Sequence, residues 1–114
     1  MDKTTVTVIG AGLAGVEAAW ALANRDFHVR LCEMKPEKYS PAHKYKGFAE
    51  LVCSNSLKSA DTASACGMLK EEMRYMNSVT MRAAEKTKVG AGGALAVNRT
   101  EFSDAVTEMI TNLP

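Results

Sequence analysis

With 114 residues, 46% of them hydrophobic and 24% charged, the chain has the size and balance of one ordinary folded domain rather than of a disordered segment. Lys and Arg number 14 against 13 Asp and Glu, and a net charge of +1 excludes a global basic field for wholesale nucleic-acid or membrane binding. The apolar stretches are broken by Glu17, Arg25 or Arg30, well short of the roughly 18–20 residues of a bilayer span.

The first third predicts a βαβ unit over residues 1–33. Val6, Val8 and Ile9 form a short apolar strand that runs into Gly10-Ala11-Gly12-Leu13-Ala14-Gly15, and strong helix formers follow to about Arg25. Along that helix Leu13, Val16, Ala19, Trp20 and Ala23 recur at three- and four-residue steps and give one apolar face. Asn24-Arg25-Asp26 ends it, and His28 to Glu33 reads as a second strand.

Residues 34–60 differ in kind. Pro36, Pro41, Gly47 and several serines predict a long ordered loop, with apolar islands at Phe48-Ala49 and Leu51-Val52-Cys53. Lys35, Lys38, Lys44, Lys46 and Lys58, with His43, face only Glu37 and Glu50, so positive charge concentrates here. The loop reads either as a solvated lysine-rich surface or as a phosphate-facing one.

Residues 61–114 predict helices and a short strand. Asp61 or Thr62 caps a helix reaching Tyr75 or Met76, and Ser78 caps a second through about Lys86. Met68, Leu69, Met73, Met76 and Met81 fall at near-helical steps and are read as core packing. Gly90-Ala91-Gly92-Gly93 leads to a strand from Ala94 to Val97. Asn98, followed by Glu101 at capping-box spacing, opens a helix to about Thr111 whose buried face is Phe102, Val106, Met109 and Ile110. The fold class expected is α/β: a Rossmann-like βαβ unit with a long basic loop, additional helices and an incomplete parallel sheet, as in the N-terminal part of a larger nucleotide-binding protein.

Two constellations carry chemistry. Gly10-x-Gly12-x-x-Gly15 follows a strand, opens a helix and has Glu33 at the end of the next strand, 18 residues after the third glycine. Gly10 permits the tight turn, Gly12 lets a pyrophosphate approach the backbone, and Gly15 allows close packing. The helix N-terminus favours the phosphates, while Glu33 accepts from the ribose hydroxyls and repels a 2′-phosphate, which disfavours NADP at this site. The alternative is a glycine turn used only for packing, and the spacing does not separate FAD from NAD. The second constellation is Phe48 to Leu57, where Cys53 precedes Ser54-Asn55-Ser56 inside the basic loop. Cys53 reads either as a nucleophile whose thiolate nearby cations stabilise or as a small buried hydrophobe. Cys32 and Cys66 read as structural thiols. Three cysteines at spacings of 21 and 13 give neither a disulfide framework nor zinc-type spacing, and His28 and His43 add no ligand set, so no metal site is expected. The N-terminus lacks the form of a secretory signal, so a cytoplasmic location is expected.

The chain resembles the bacterial folate- and FAD-dependent tRNA (uracil-5-)-methyltransferases. The resemblance runs through Val8 to Gly15, Glu33-Met34-Lys35-Pro36, Pro41-Ala42-His43, Phe48 to Leu57, Leu69 to Met73 and Ala91 to Val97. It departs at Asn98, where the family usually has Asp, and at Gly90, where proline is common. The resemblance implies FAD bound through Gly10, Ala11, Gly12, Leu13, Ala14 and Gly15 with Glu33 on its ribose, and Cys53 as a nucleophile toward uracil C6. It further implies methylation of C5 of uridine-54 in the tRNA T loop, with methylenetetrahydrofolate as carbon donor and FAD reduced by NADPH or NADH. No turnover is expected from the 114 residues alone. The competing readings are another FAD- or NAD-dependent oxidoreductase, such as the related tRNA carboxymethylaminomethyl-uridine flavoprotein, and a non-catalytic FAD-binding segment.

Overall fold

The structure, a computed structural model, describes residues 3–90 and 92–113. Ala91, at the head of the Ala91–Val97 block, lies outside the described residues. Strand β1 (Thr5–Ile9), helix α1 (Leu13–Ala23) and strand β2 (His28–Cys32) form the expected parallel βαβ unit, with Thr5 opposite His28 and Ile9 opposite Cys32. Strand β3 (Ser56–Ser59) lies within the segment expected as loop, and helices α2 (Ala65–Tyr75) and α3 (Val79–Thr87) follow. Strands β4 (Lys88–Val89) and β5 (Ala94–Val97) precede helix α4 (Arg99–Thr111).

The expectation of one incomplete parallel sheet is corrected in its second half. Residues 94–97 do not extend the β1–β2 pair; β5 is the centre of a separate antiparallel sheet in the order β3-β5-β4. Its outer strands are two and four residues long, too short to show a period in sequence, so pairing with β5 defines them.

Helix starts follow local chemistry. Ser78 accepts from the N–H of Met81 and Asn98 from that of Glu101, as their spacing predicts. The α2 cap is Ser64 rather than Asp61 or Thr62, because Asp61 instead closes the preceding turn by accepting from the N–H of Ala63.

The core lies between α1, α3, α4 and β5. Val16, Val79, Val97, Phe102 and Val106 are fully buried, joined by Ala83, Ala84, Met81, Leu95 and Ile110. The methionine stripe divides: Met81 is buried and Met73 half-buried, whereas Met68, Leu69 and Met76 are exposed, correcting their reading as core. Cys66, read as structural, is also exposed. Helix α1 is tied to α3 by Glu17, whose carboxylate accepts from the Ser78 hydroxyl and the Thr80 N–H, and by Trp20, whose indole N–H donates to the carbonyl of Asn77 at 2.8 Å. Phe102→Ala is expected to lower unfolding free energy by about 3–5 kcal/mol, since it empties the centre of this core; urea denaturation followed by circular dichroism measures it.

Candidate functional site: a glycine turn, a carboxylate and a basic strap

The turn between β1 and α1 is set by two glycines. Gly10 has φ +96°, which a side chain would strain, and a Cβ at Gly15 would stand 1.9 Å from the carbonyl oxygen of Gly10. Gly12 differs: a Cβ there would meet nothing within 4 Å and would project into open space. Gly12 is also the N-cap of α1, which has no side-chain cap bond and no acidic residue in its first turn. Helices α2, α3 and α4 each have a side-chain oxygen in that place. Among the described residues, the first turn of α1 therefore has no side-chain acceptor at its cap, the arrangement that suits an anion.

Beside the turn is a cavity of about 210 Å³ lined by Gly10, Ala11, Gly12, Glu33, Met34, Lys35, His43 and Glu50. Glu33 bridges the turn and its own strand end: one oxygen accepts from the N–H of Ala11 and the other from that of Lys35, both at 2.9 Å. Each oxygen keeps a lone pair for a further donor. Burial pushes the Glu33 carboxyl up, but those two N–H donors and the positive charge of Lys35 and His43 outweigh it and hold the group below its ordinary range.

The basic loop is a strap fastened to the glycine turn and to α4, with most of its lysines turned outward. Ala49 donates its N–H to the carbonyl of Ala11 at 2.8 Å, and its φ of +50° is left-handed. Phe48 is clamped to α4, its N–H donating to the Thr107 hydroxyl at 2.8 Å and its carbonyl accepting from Ser103 at 2.6 Å. The Tyr45 hydroxyl donates to Asp104 at 2.6 Å, and that bond holds the phenol above its usual range. Lys35 is inside: its side chain is 5% exposed and paired with Glu50 at 3.3 Å. Lys38, Lys44, Lys46 and Lys58 are exposed. Burial pushes the Glu50 carboxyl up, and donation from the Lys44 and Tyr45 N–H groups and from Lys35 lowers it further than burial raises it.

The predicted site residues therefore separate. Gly10, Ala11, Gly12 and Glu33 meet in one cavity, and Gly15 packs beneath the turn. Leu13 and Ala14 instead line an apolar groove with Leu57, Leu69, Met73 and Met81. Cys53 is exposed, not the buried hydrophobe of the alternative reading, and lines an open cleft with Ser54, Asn55, Val97, Asn98, Arg99 and Thr100. Arg99 also lines the neighbouring cavity with Lys44, Glu50 and Val52, and donates weakly to the carbonyl of Leu51 at 3.4 Å. Sequence reasoning counted Glu50 only as a countercharge of the basic loop and gave Arg99 no role; Arg99 directly follows a helix cap. Among the described residues there is no cluster of three His, Cys, Asp or Glu side chains that could hold a metal ion, and no helix is long and apolar enough to cross a membrane.

These features define an α/β protein built on a parallel βαβ unit, with an uncapped helix at its glycine turn and a carboxylate at the end of the second strand. The chain belongs to the family described as glucose inhibited division protein A, which it matches over residues 5–114. It is 61% identical over 105 residues to the methylenetetrahydrofolate--tRNA-(uracil-5-)-methyltransferase TrmFO of Acetivibrio thermocellus, covering 92% of this chain and 24% of that protein. The protein of the same name from Anoxybacillus flavithermus is 61% identical over 109 residues, 96% of this chain and 25% of its own length. That from Bacillus subtilis is 57% identical over all 114 residues, 26% of its length. The chain thus spans about a quarter of the length of these relatives.

Because Glu33 and Glu50 have lowered folded-state values, the unfolded chain binds more protons in acid. Their stabilisation is complete above the unfolded carboxylate value of about 4.3 and is lost as pH falls through the folded values. Glu33→Gln is expected to flatten that acid limb, measured as melting temperature between neutral pH and strong acid.

Proposed function

We propose that the chain is the dinucleotide-binding part of a folate- and FAD-dependent tRNA (uracil-5-)-methyltransferase that acts on C5 of a T-loop uridine, with tRNA and methylenetetrahydrofolate as substrates and NADPH or NADH as the source of electrons. The observation that carries the reading is the cavity in which Gly10, Ala11, Gly12 and Glu33 meet beside the uncapped start of α1. The name shared by relatives at 57–61% identity supports the reaction class.

The residues fit FAD. The uncapped start of α1 suits a pyrophosphate, the open space over Gly12 leaves room for its approach, and Glu33 has lone pairs for ribose hydroxyls. A 2′-phosphate on that ribose would meet the negative charge of Glu33, which favours FAD or NAD over NADP in this cavity. FAD in its reduced form supplies the electrons that take a transferred one-carbon unit from the methylene to the methyl level. Cys53 is the candidate nucleophile. Its thiolate would form an S–C bond to uracil C6, and electron density would pass to C5, which then attacks the methylene carbon. Loss of the C5 proton with cleavage of the carbon–nitrogen bond to tetrahydrofolate would leave an exocyclic methylene at C5, and addition of a hydride equivalent to that carbon with expulsion of the thiolate would give the 5-methyl base. Exposure of Cys53 in an open cleft supports access by a macromolecular substrate.

Two measurements test the reading. Titration with FAD against NAD, followed by flavin absorbance and intrinsic fluorescence, is expected to show saturable FAD binding that Gly12→Leu weakens at least tenfold, since the added side chain fills the approach. Preference for NAD would move the protein to another class of oxidoreductase. A T-loop RNA containing 5-fluorouracil is expected to form a covalent adduct with the full-length protein, lost on Cys53→Ser; an undiminished adduct would remove Cys53 from this role.

A further inference from the structure

Lys35 stands out as a buried cation with no ligand-facing donor to spare. Its ammonium donates to the carbonyls of Tyr45 at 2.8 Å and Gly47 at 2.6 Å and to Glu50 at 3.3 Å, which uses all three protons. Glu50 is saturated in turn, accepting also from the N–H groups of Lys44 and Tyr45 at 3.0 and 3.1 Å. Such a pair is a poor source of net stability, because removing both charges from water offsets most of their attraction, but losing one partner leaves the other buried and unpaired. Its evident product is geometry. The strap passes within one hydrogen bond of the glycine turn, and at Ala49 it holds a left-handed backbone that persists only where neighbours fix it.

Glu50 has a second distinction: it lines both the cavity of Glu33 and the adjoining cavity of Arg99 and Val52. Glu50 is therefore the strap residue shared by the glycine-turn cavity and a second cavity, whose Arg99 also lines the cleft of Cys53. We propose that Lys35 is a positioning residue, which holds Glu50, and with it the strap, against the dinucleotide cavity and does not itself contact the phosphates. This rests on the dinucleotide reading above.

The test is FAD titration of the full-length protein with native-state amide exchange as a second readout. Lys35→Met is expected to weaken FAD binding about tenfold, in keeping with loss of a group that supports a ligand-contacting shell. It is also expected to accelerate exchange at the Ala49 amide while leaving that of Val16, in the core, unchanged. The double variant Lys35→Met/Glu50→Gln is expected to bind FAD no more weakly than Lys35→Met alone, because the two act as one unit. Lys70→Met, which removes a buried lysine bonded to the carbonyl of Cys66 outside the strap, controls for general loss of a buried cation and is expected to leave FAD affinity within twofold. Unchanged affinity in Lys35→Met, or faster exchange at Val16 to the same extent as at Ala49, would overturn the proposal. Should Lys35→Met fail to fold, Glu50→Gln is judged by the same two criteria. Absence of saturable FAD binding by the unaltered protein is read separately, and overturns the dinucleotide reading together with the inference built on it.

Discussion

The approach of Gly15 to the carbonyl of Gly10 is the constraint on which the rest of the structure depends. A Cβ in place of the missing one would stand 1.9 Å from that oxygen, so helix α1 lies this close to the end of β1 only because the position is glycine. With the helix start fixed, the three residues between β1 and α1 have little freedom, and Ala11 turns its amide and its carbonyl to different partners. The amide meets Glu33 at the end of β2, and the carbonyl meets Ala49 of the strap. One peptide turn thereby joins three parts of the chain, the glycine turn, the end of β2 and the strap.

The packing that supports this turn lies largely on the far side of α1. Val16 and Ala19 face the core, where α3, α4 and β5 bury Val79, Val97, Phe102 and Val106. Strand β1 contributes little to it: Ile9 is 80% exposed, and no residue of β1 is fully buried. The parallel pair is thus held through α1 and through its own ladder, while α4 reaches the turn indirectly by gripping the strap at Tyr45 and Phe48. The turn is braced by side-chain and backbone hydrogen bonds rather than by a second layer of helix, and the start of α1 has no side-chain cap.

Elements whose cause is local were legible in the sequence. The β1–α1–β2 unit follows from apolar residues on either side of a glycine turn, and α3 and α4 begin at Ser78 and Asn98 because those side chains accept from the N–H groups three residues on. What escaped depends on distant partners. Strands β3 and β4 exist because β5 lies between them, and no pattern of two to four residues carries that information. The methionines of α2 sit at helical spacing, yet α2 meets the core only along Gly67, Lys70 and Met73, so periodicity located a helix without saying how much of it is covered. Lys35 shows the same limit for charge. Counting lysines identified a basic segment, but only the folded strap, closing over fifteen residues from Lys35 to Glu50, takes one of them inside.

The separation of Cys53 from the glycine-turn cavity bears on how one chain could serve both. A thiol that attacks a base within a large RNA needs an open approach, whereas a dinucleotide needs enclosure by backbone donors and a carboxylate. These demands conflict in a single pocket, and on the proposed reading they fall to two separate places, the open cleft that Cys53 lines and the cavity that Glu33 lines. Glu50 lines the cavity of Glu33 and the adjoining cavity of Arg99, and Leu51, Val52 and Cys53 follow it directly in the chain. A displacement of the strap at Glu50 would therefore reach the thiol within three residues of backbone. The buried ion pair holds that path at Glu50, and Arg99 holds it again at the carbonyl of Leu51.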